Sequence, residues 1–137
     1  FNPEESIDFH GFTGPFIQYT YARIQSILRK EQVNKSSFPA DDLYLSQSLF
    51  PLEKAVIFHL EQYPEIIEEA GLSMDPSVIA NYVFMLAKIF NSFYAEHSVS
   101  KAESEEKKIL RLQIALLTAN VLSSGMHLLG IKMPERM

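Results

Sequence analysis

Cysteine is absent from this 137-residue chain. That excludes disulfide scaffolds, thiolate zinc sites, CxxC redox pairs and cysteine nucleophiles, and it favours a reducing compartment. Also missing is any sustained period-two alternation or Asn-Gly hairpin signal, so nothing argues for strands. The four histidines, His10, His59, His97 and His127, show no HExxH or HxxxH spacing, so no two of them share a helix face as metal ligands would. No metal site is expected. There is no GxSxG elbow. Gly11-Phe12-Thr13-Gly14 precedes a helix but lacks the Lys-Ser/Thr ending of a P-loop and follows no strand. The start, Phe1-Asn2-Pro3-Glu4, has no initiator methionine, basic n-region or apolar h-region, and reads as a piece cut from a longer chain. Internal repeats and low-complexity tracts are absent as well.

What is present is an ordinary core composition, 47% apolar, at a length that makes one domain and buries about two-thirds of the unfolded surface. Apolar residues at Ile17, Tyr21, Ile24 and Leu28 predict a helix from about Pro15 to Gln32. A polar connection follows over 34–42, where Asn34-Lys35-Ser36 matches a glycosylation sequon that we take as incidental. Pro51-Leu52-Glu53 opens a second helix, which Pro64 should kink or restart and Gly71 should cap. Asp75-Pro76 starts a third, about Pro76 to Glu96, apolar on nearly every side and therefore surrounded by other helices. Ser100 with Glu103 forms a capping-box pattern for a last long helix, which Gly125 and Gly130 end or break. Its uncharged stretch from Leu112 to Ile131 is long enough for a bilayer, but the polar residues within it make it a buried core helix. The expectation is an all-α bundle of four to five helices, with residues 1–14 as an entry loop and 15–137 as the bundle.

The net charge of -5 hides a strong segregation. Residues 13–40 sum to +3, whereas 41–75 hold eight acids against Lys54 alone. Asp41-Asp42 and Glu68-Glu69 in that acidic stretch are read as solvated charge. On the first helix Tyr19, Arg23, Ser26 and Lys30 fall within about a 60° sector opposite the apolar face. Such a strip is either a solvated amphipathic face or a platform for unstacked nucleotides, with a ring for a base and cations for phosphate.

Three blocks decide between these. Thr13 to Lys30 (TGPFIQYTYARIQSILRK), Leu86 to Tyr94 (LAKIFNSFY) and Gly125 to Met137 (GMHLLGIKMPERM) occur in that order. Together they resemble the C-terminal helical domain of arginyl-tRNA synthetases, often called the DALR domain, though those four letters do not occur here. The resemblance implies an anticodon-binding bundle. It nominates Gly11 and Gly14 for close backbone approach, Arg23 and Arg29 for phosphate or base contacts, and Tyr94 as a stacking or hydrogen-bonding partner; Lys30 joins these candidates from its place on the basic sector of the first helix. The resemblance also makes Met137 a pocket wall and gives Tyr19 a role either in positioning the loop or toward the nearby catalytic body. The family usually has Asn where this chain has Phe12, which removes a hydrogen-bonding side chain from the loop and substitutes a ring. From periodicity alone, Tyr94 is divided between core and site.

The implied partners are arginine tRNAs and the catalytic domain of the same chain, in a cytoplasmic, monomeric enzyme away from membranes. This piece carries neither the HIGH nor the KMSK motif of class I synthetases, so it is expected to hold no cofactor, the ATP being used by the parent catalytic domain. The rival reading is a helical protein–protein module that docks through the acidic 41–75 segment.

Overall fold

The computed structural model describes residues 14–33 and 48–137, and among these it contains five helices and no strand. They are α1 (Gly14–Lys30), α2 (Pro51–Glu61), α3 (Tyr63–Ser73), α4 (Ser77–Glu96) and α5 (Glu105–Leu128). As its all-round apolar sequence requires, α4 is central and packs against the other four, while α5 also packs on α1 and α2. Ile24, Val83, Leu86, Phe90, Phe93, Leu110, Ile114 and Leu122 are fully buried where these helices meet. Both α4 and α5 are long and apolar enough to cross a membrane by length and composition alone. Within the apolar window of α5, 61% of residues are nevertheless buried inside the bundle.

Chain termination follows backbone geometry more than residue type. Helix α1 ends when Gln32 takes φ 56°, so that Val33 N donates back to Leu28 O at 2.8 Å. The expected cap at Gly71 does not form. Helix α3 runs through Gly71 to Ser73, and Met74, 89% exposed, adopts φ 52° while Asp75 N bonds Ala70 O at 3.1 Å. An exposed Met74 can take the left-handed turn because the two carbonyls it helps satisfy offset a modest backbone cost. Pro64 does restart the helix, dividing α2 from α3 at Gln62. Asp75 accepts from Ser77 N at 3.0 Å, so the start signal read from Asp75-Pro76 stands, with the helix itself beginning one residue later, at Ser77, and Pro76 in the cap position.

Two further expectations need correction. The start of α5 is capped by Ser104, whose Oγ accepts from Lys107 N at 3.1 Å, and not by the Ser100/Glu103 box. Glu103 is drawn away because its carboxylate meets the buried Arg111 at 2.8 Å. Of the two glycines proposed to end this helix, only Gly130 does so, at φ 78°, with Ile131 N returning to Met126 O at 2.9 Å. Gly125 lies inside α5, where a Cβ would stand 2.5 Å from Val83 Cγ1. The absent side chain lets α5 and α4 approach closely. Gly125→Ala should therefore lower stability by about 1–2 kcal/mol, overpacking outweighing the gain in helix propensity. An unchanged urea midpoint would show that Val83 can move aside freely.

The interior also contains an ion cluster. Glu53 and Arg111 are both 0% exposed, joined at 3.1 Å, and Lys107 reaches the other Glu53 oxygen at 2.8 Å. Burial pushes the Glu53 carboxyl up, but bonds from Lys107, Phe50 N and Arg111 together hold it below its ordinary value of 4.5. His59, stacked on Tyr82, is held below its ordinary 6.5 by burial. Both folded values are depressed, so protonation favours the unfolded chain. Between pH 6.5 and the alkaline range the urea midpoint should be flat; below it the midpoint should decline as the unfolded His59 gains its proton, and fall more steeply below pH 4.5 as Glu53, Glu31, Glu103 and Asp75, all held below their ordinary values, follow. Glu53→Gln should make the lower limb shallower and leave the upper one in place, and a lower limb unaltered by that change would contradict the assignment.

Candidate nucleic-acid interface

Five of the residues nominated as contacts come together in one cleft of about 420 Å³: Tyr19, Arg23, Arg29, Tyr94 and Met137. Ala22, Ser26, Ile27 and Arg136 complete its lining. Helix α1 supplies one wall through positions 19, 22, 23 and 26, which a 3.6-residue turn places on one side. Helix α4 contributes Tyr94 from its last turns. The third wall is the chain beyond α5, which runs alongside α1 because Gln18 Nε2 donates to Lys132 O at 3.1 Å and Arg29 Nη1 donates to Glu135 O at 3.1 Å.

At the centre lies Arg23. Its Cζ is 5.0 Å from the ring centroids of both Tyr19 and Tyr94. Nη2 donates to Tyr19 Oη at 3.1 Å and Nη1 donates to Asn91 Oδ1 at 2.7 Å. A guanidinium so placed lies against two π-systems and keeps N–H groups beyond those two bonds for a ligand. Tyr19 is 49% exposed and receives a hydrogen bond from Arg23, which leaves its own proton free to donate. Tyr94 belongs to both alternatives left open by its periodicity, since it stacks on the buried Phe90 at 6.3 Å and also faces Arg23.

Three arginines thus border one cleft. A second groove, of about 600 Å³, lies between α1 and α5 and is lined by Tyr21, Gln25, Asn120, His127 and Glu135 among others, with no arginine or lysine. Electrostatics alone would direct an anion to the first. Among the described residues no three His, Asp or Glu side chains could hold a metal ion together.

The remaining candidates fall elsewhere. Lys30 is exposed in the last turn of α1, outside the cleft lining. Gly14 begins α1, and a Cβ there would meet no described residue within 4 Å, so none of the described residues imposes a need for glycine. Gly11 and Phe12 lie outside the described residues. Two participants escaped the sequence reading. Arg136 stands in the quoted terminal block beside Met137, and its signal was a cation next to a nominated wall. Asn91 was discernible as an amide among Phe90, Phe93 and Ala87, where a polar group needs partners.

The DALR anticodon binding domain family matches residues 17–137. An arginine–tRNA ligase of Flavobacterium psychrophilum is 47% identical over 137 residues, covering 100% of this chain and 22% of that protein. One from Parabacteroides distasonis is 46% identical, covering 100% and 23%. Among solved structures, Thermus thermophilus arginyl-tRNA synthetase superposes with a TM-score of 0.80 at 35% identity, over 100% of this chain and 23% of that one. The arginyl-tRNA synthetase of Plasmodium falciparum gives 0.75 at 30% identity, over 91% and 21%. The chain therefore spans less than a quarter of the length of these curated relatives.

Proposed function

Because this chain belongs to the DALR anticodon-binding domain family of arginine–tRNA ligases, we propose that its arginine-lined cleft receives one unstacked base of an arginine tRNA anticodon. The observation that carries the reading is Arg23 held against Tyr19 and Tyr94 in the lining of a cleft that Arg29 and Arg136 also border. Sequence-specific RNA recognition works on splayed bases that stack on aromatic or guanidinium planes and offer their Watson–Crick edges. Every arginine tRNA anticodon has cytosine in the middle, and its O2 and N3 acceptors match the free N–H groups of Arg23. Arg29 and Arg136 then neutralise the flanking phosphates. A volume near 420 Å³ is that of a small-molecule site, suited to a single nucleotide and too small for a duplex.

In this reading, arginine activation with ATP and transfer to tRNA reside in the larger part of the enzyme beyond this chain's length. The partners are arginine tRNA and that catalytic body, in a monomeric cytoplasmic enzyme. The exposed acids of α2 and α3, Glu61, Glu65, Glu68 and Glu69, belong to helices that pack on α4, and none of them lines the cleft.

Binding of an arginine anticodon stem-loop to the full chain tests the proposal. Replacing the middle cytosine with uracil should weaken binding by about 1–2 kcal/mol. The logarithm of affinity should fall with the logarithm of salt concentration with a slope of about -1 to -2, one or two phosphates' worth of counterions. Equal affinity for both loops would leave backbone binding alone. Salt-independent association would favour the protein–protein module instead.

A further inference from the structure

Asn91 is absent from the lining of the cleft yet is bonded at both ends of its amide. Nδ2 donates to Ala87 O at 2.8 Å and to Thr20 Oγ1 at 2.7 Å, and Oδ1 accepts from Arg23 Nη1 at 2.7 Å. Chemistry sets the orientation. A backbone carbonyl can only accept and a guanidinium can only donate, so a flipped amide would oppose both. The buried Thr20 spends its hydroxyl proton on Phe16 O at 2.9 Å, which leaves its lone pair to Asn91. A directed relay therefore runs from Arg23 through Asn91 and Thr20 to the backbone of α1, and it joins α4 to α1 beneath the cleft.

We propose that Asn91 is a positioning residue: it holds the Arg23 guanidinium in place before RNA arrives, so that base discrimination depends on a side chain outside the cleft. The inference rests on the reading of the cleft as an anticodon-base site. A free arginine on the surface of a helix samples many rotamers and could satisfy the acceptor pattern of several bases by turning. With Nη1 held by Asn91 and Nη2 by Tyr19, the remaining N–H groups point in set directions. The ordering entropy is lost during folding and not at binding, which is the physical content of preorganisation. Only a donor set that cannot turn penalises uracil for its different edge.

The test uses the full chain with arginine side chains labelled by 15N. In the wild type, rotation of the Arg23 guanidinium should be slow, giving separate Nη proton signals without RNA present. In Asn91→Ala those signals should merge while those of Arg29 and Arg136 keep their shape. Preference for the cytosine over the uracil loop should fall about five- to tenfold, and Arg23→Ala/Asn91→Ala should discriminate no worse than Arg23→Ala alone. Thr20→Val cuts the relay one step back with little change of volume, and should shift both readouts partway with helix content retained. Persistent slow rotation in Asn91→Ala, or additive losses in the double variant, would overturn the proposal. A wild-type chain with no preference for cytosine would instead overturn the base-site reading, and the guanidinium signals would then decide the role of Asn91 by themselves.

Discussion

Arg111→Met is expected to cost about 3–5 kcal/mol of folding stability, the usual loss when one member of a buried charge cluster is removed. The side chain is wholly buried and donates to Glu53 at 3.1 Å, to Ser98 O at 2.8 Å and to Glu103 at 2.8 Å. It thereby ties α5 to the start of α2 and to the 97–104 connection. Methionine replaces the stem as far as Nε but leaves the Ser98 carbonyl without this donor and Glu53 with Lys107 and Phe50 N only. Urea unfolding followed by circular dichroism at neutral pH measures the loss. Adding Glu53→Leu to the same chain should recover a large part of it, because an apolar pair needs no compensation and Lys107 is free to turn outward. A single-variant loss below about 1 kcal/mol would mean that the cluster is no stronger than a surface pair.

Arg23→Ala should weaken binding of an arginine anticodon stem-loop by about 2–3 kcal/mol, the range for a charge-assisted hydrogen bond together with a stacking plane. The change also releases Tyr19 and Tyr94 from the cation between them, so part of the loss is a softened cleft. Stability should move little: Arg23 is only half-buried, and Asn91 keeps Ala87 O and Thr20 Oγ1 as partners for its amide nitrogen. The combination is diagnostic. Strong loss of affinity with an unchanged melting curve places Arg23 at the RNA, whereas equal affinity would place the RNA elsewhere on the molecule.

Much of this was legible because helices write their partners in period 3.6. The apolar stripe of α1 at Ile17, Ile24 and Leu28 is buried as read, and the nearly all-apolar α4 is central as read. Local start signals fared well where the cap was a side chain next to its own helix, as at Asp75. They failed where a distant group competed: Glu103 left its supposed capping box because Arg111, eight residues on and buried, offered a stronger partner. Gly71 and Gly125 misled for a related reason. A glycine permits a turn or a close approach, and only the neighbouring helix decides which is used.

The sequence by itself determined the helical class, the basic and aromatic face of α1, and three blocks whose order identifies the family. Each is a local property, set by side-chain period and residue chemistry. Only the tertiary structure decided that Tyr19, Arg23, Arg29, Tyr94 and Met137 share one cleft, that Lys30 does not, and that Arg136 and Asn91 belong with them. Arg23 and Asn91 are 68 residues apart. No periodicity spans that distance; the packing of α1 on α4 does, and it turns a solvated strip of charge into an arrangement with direction.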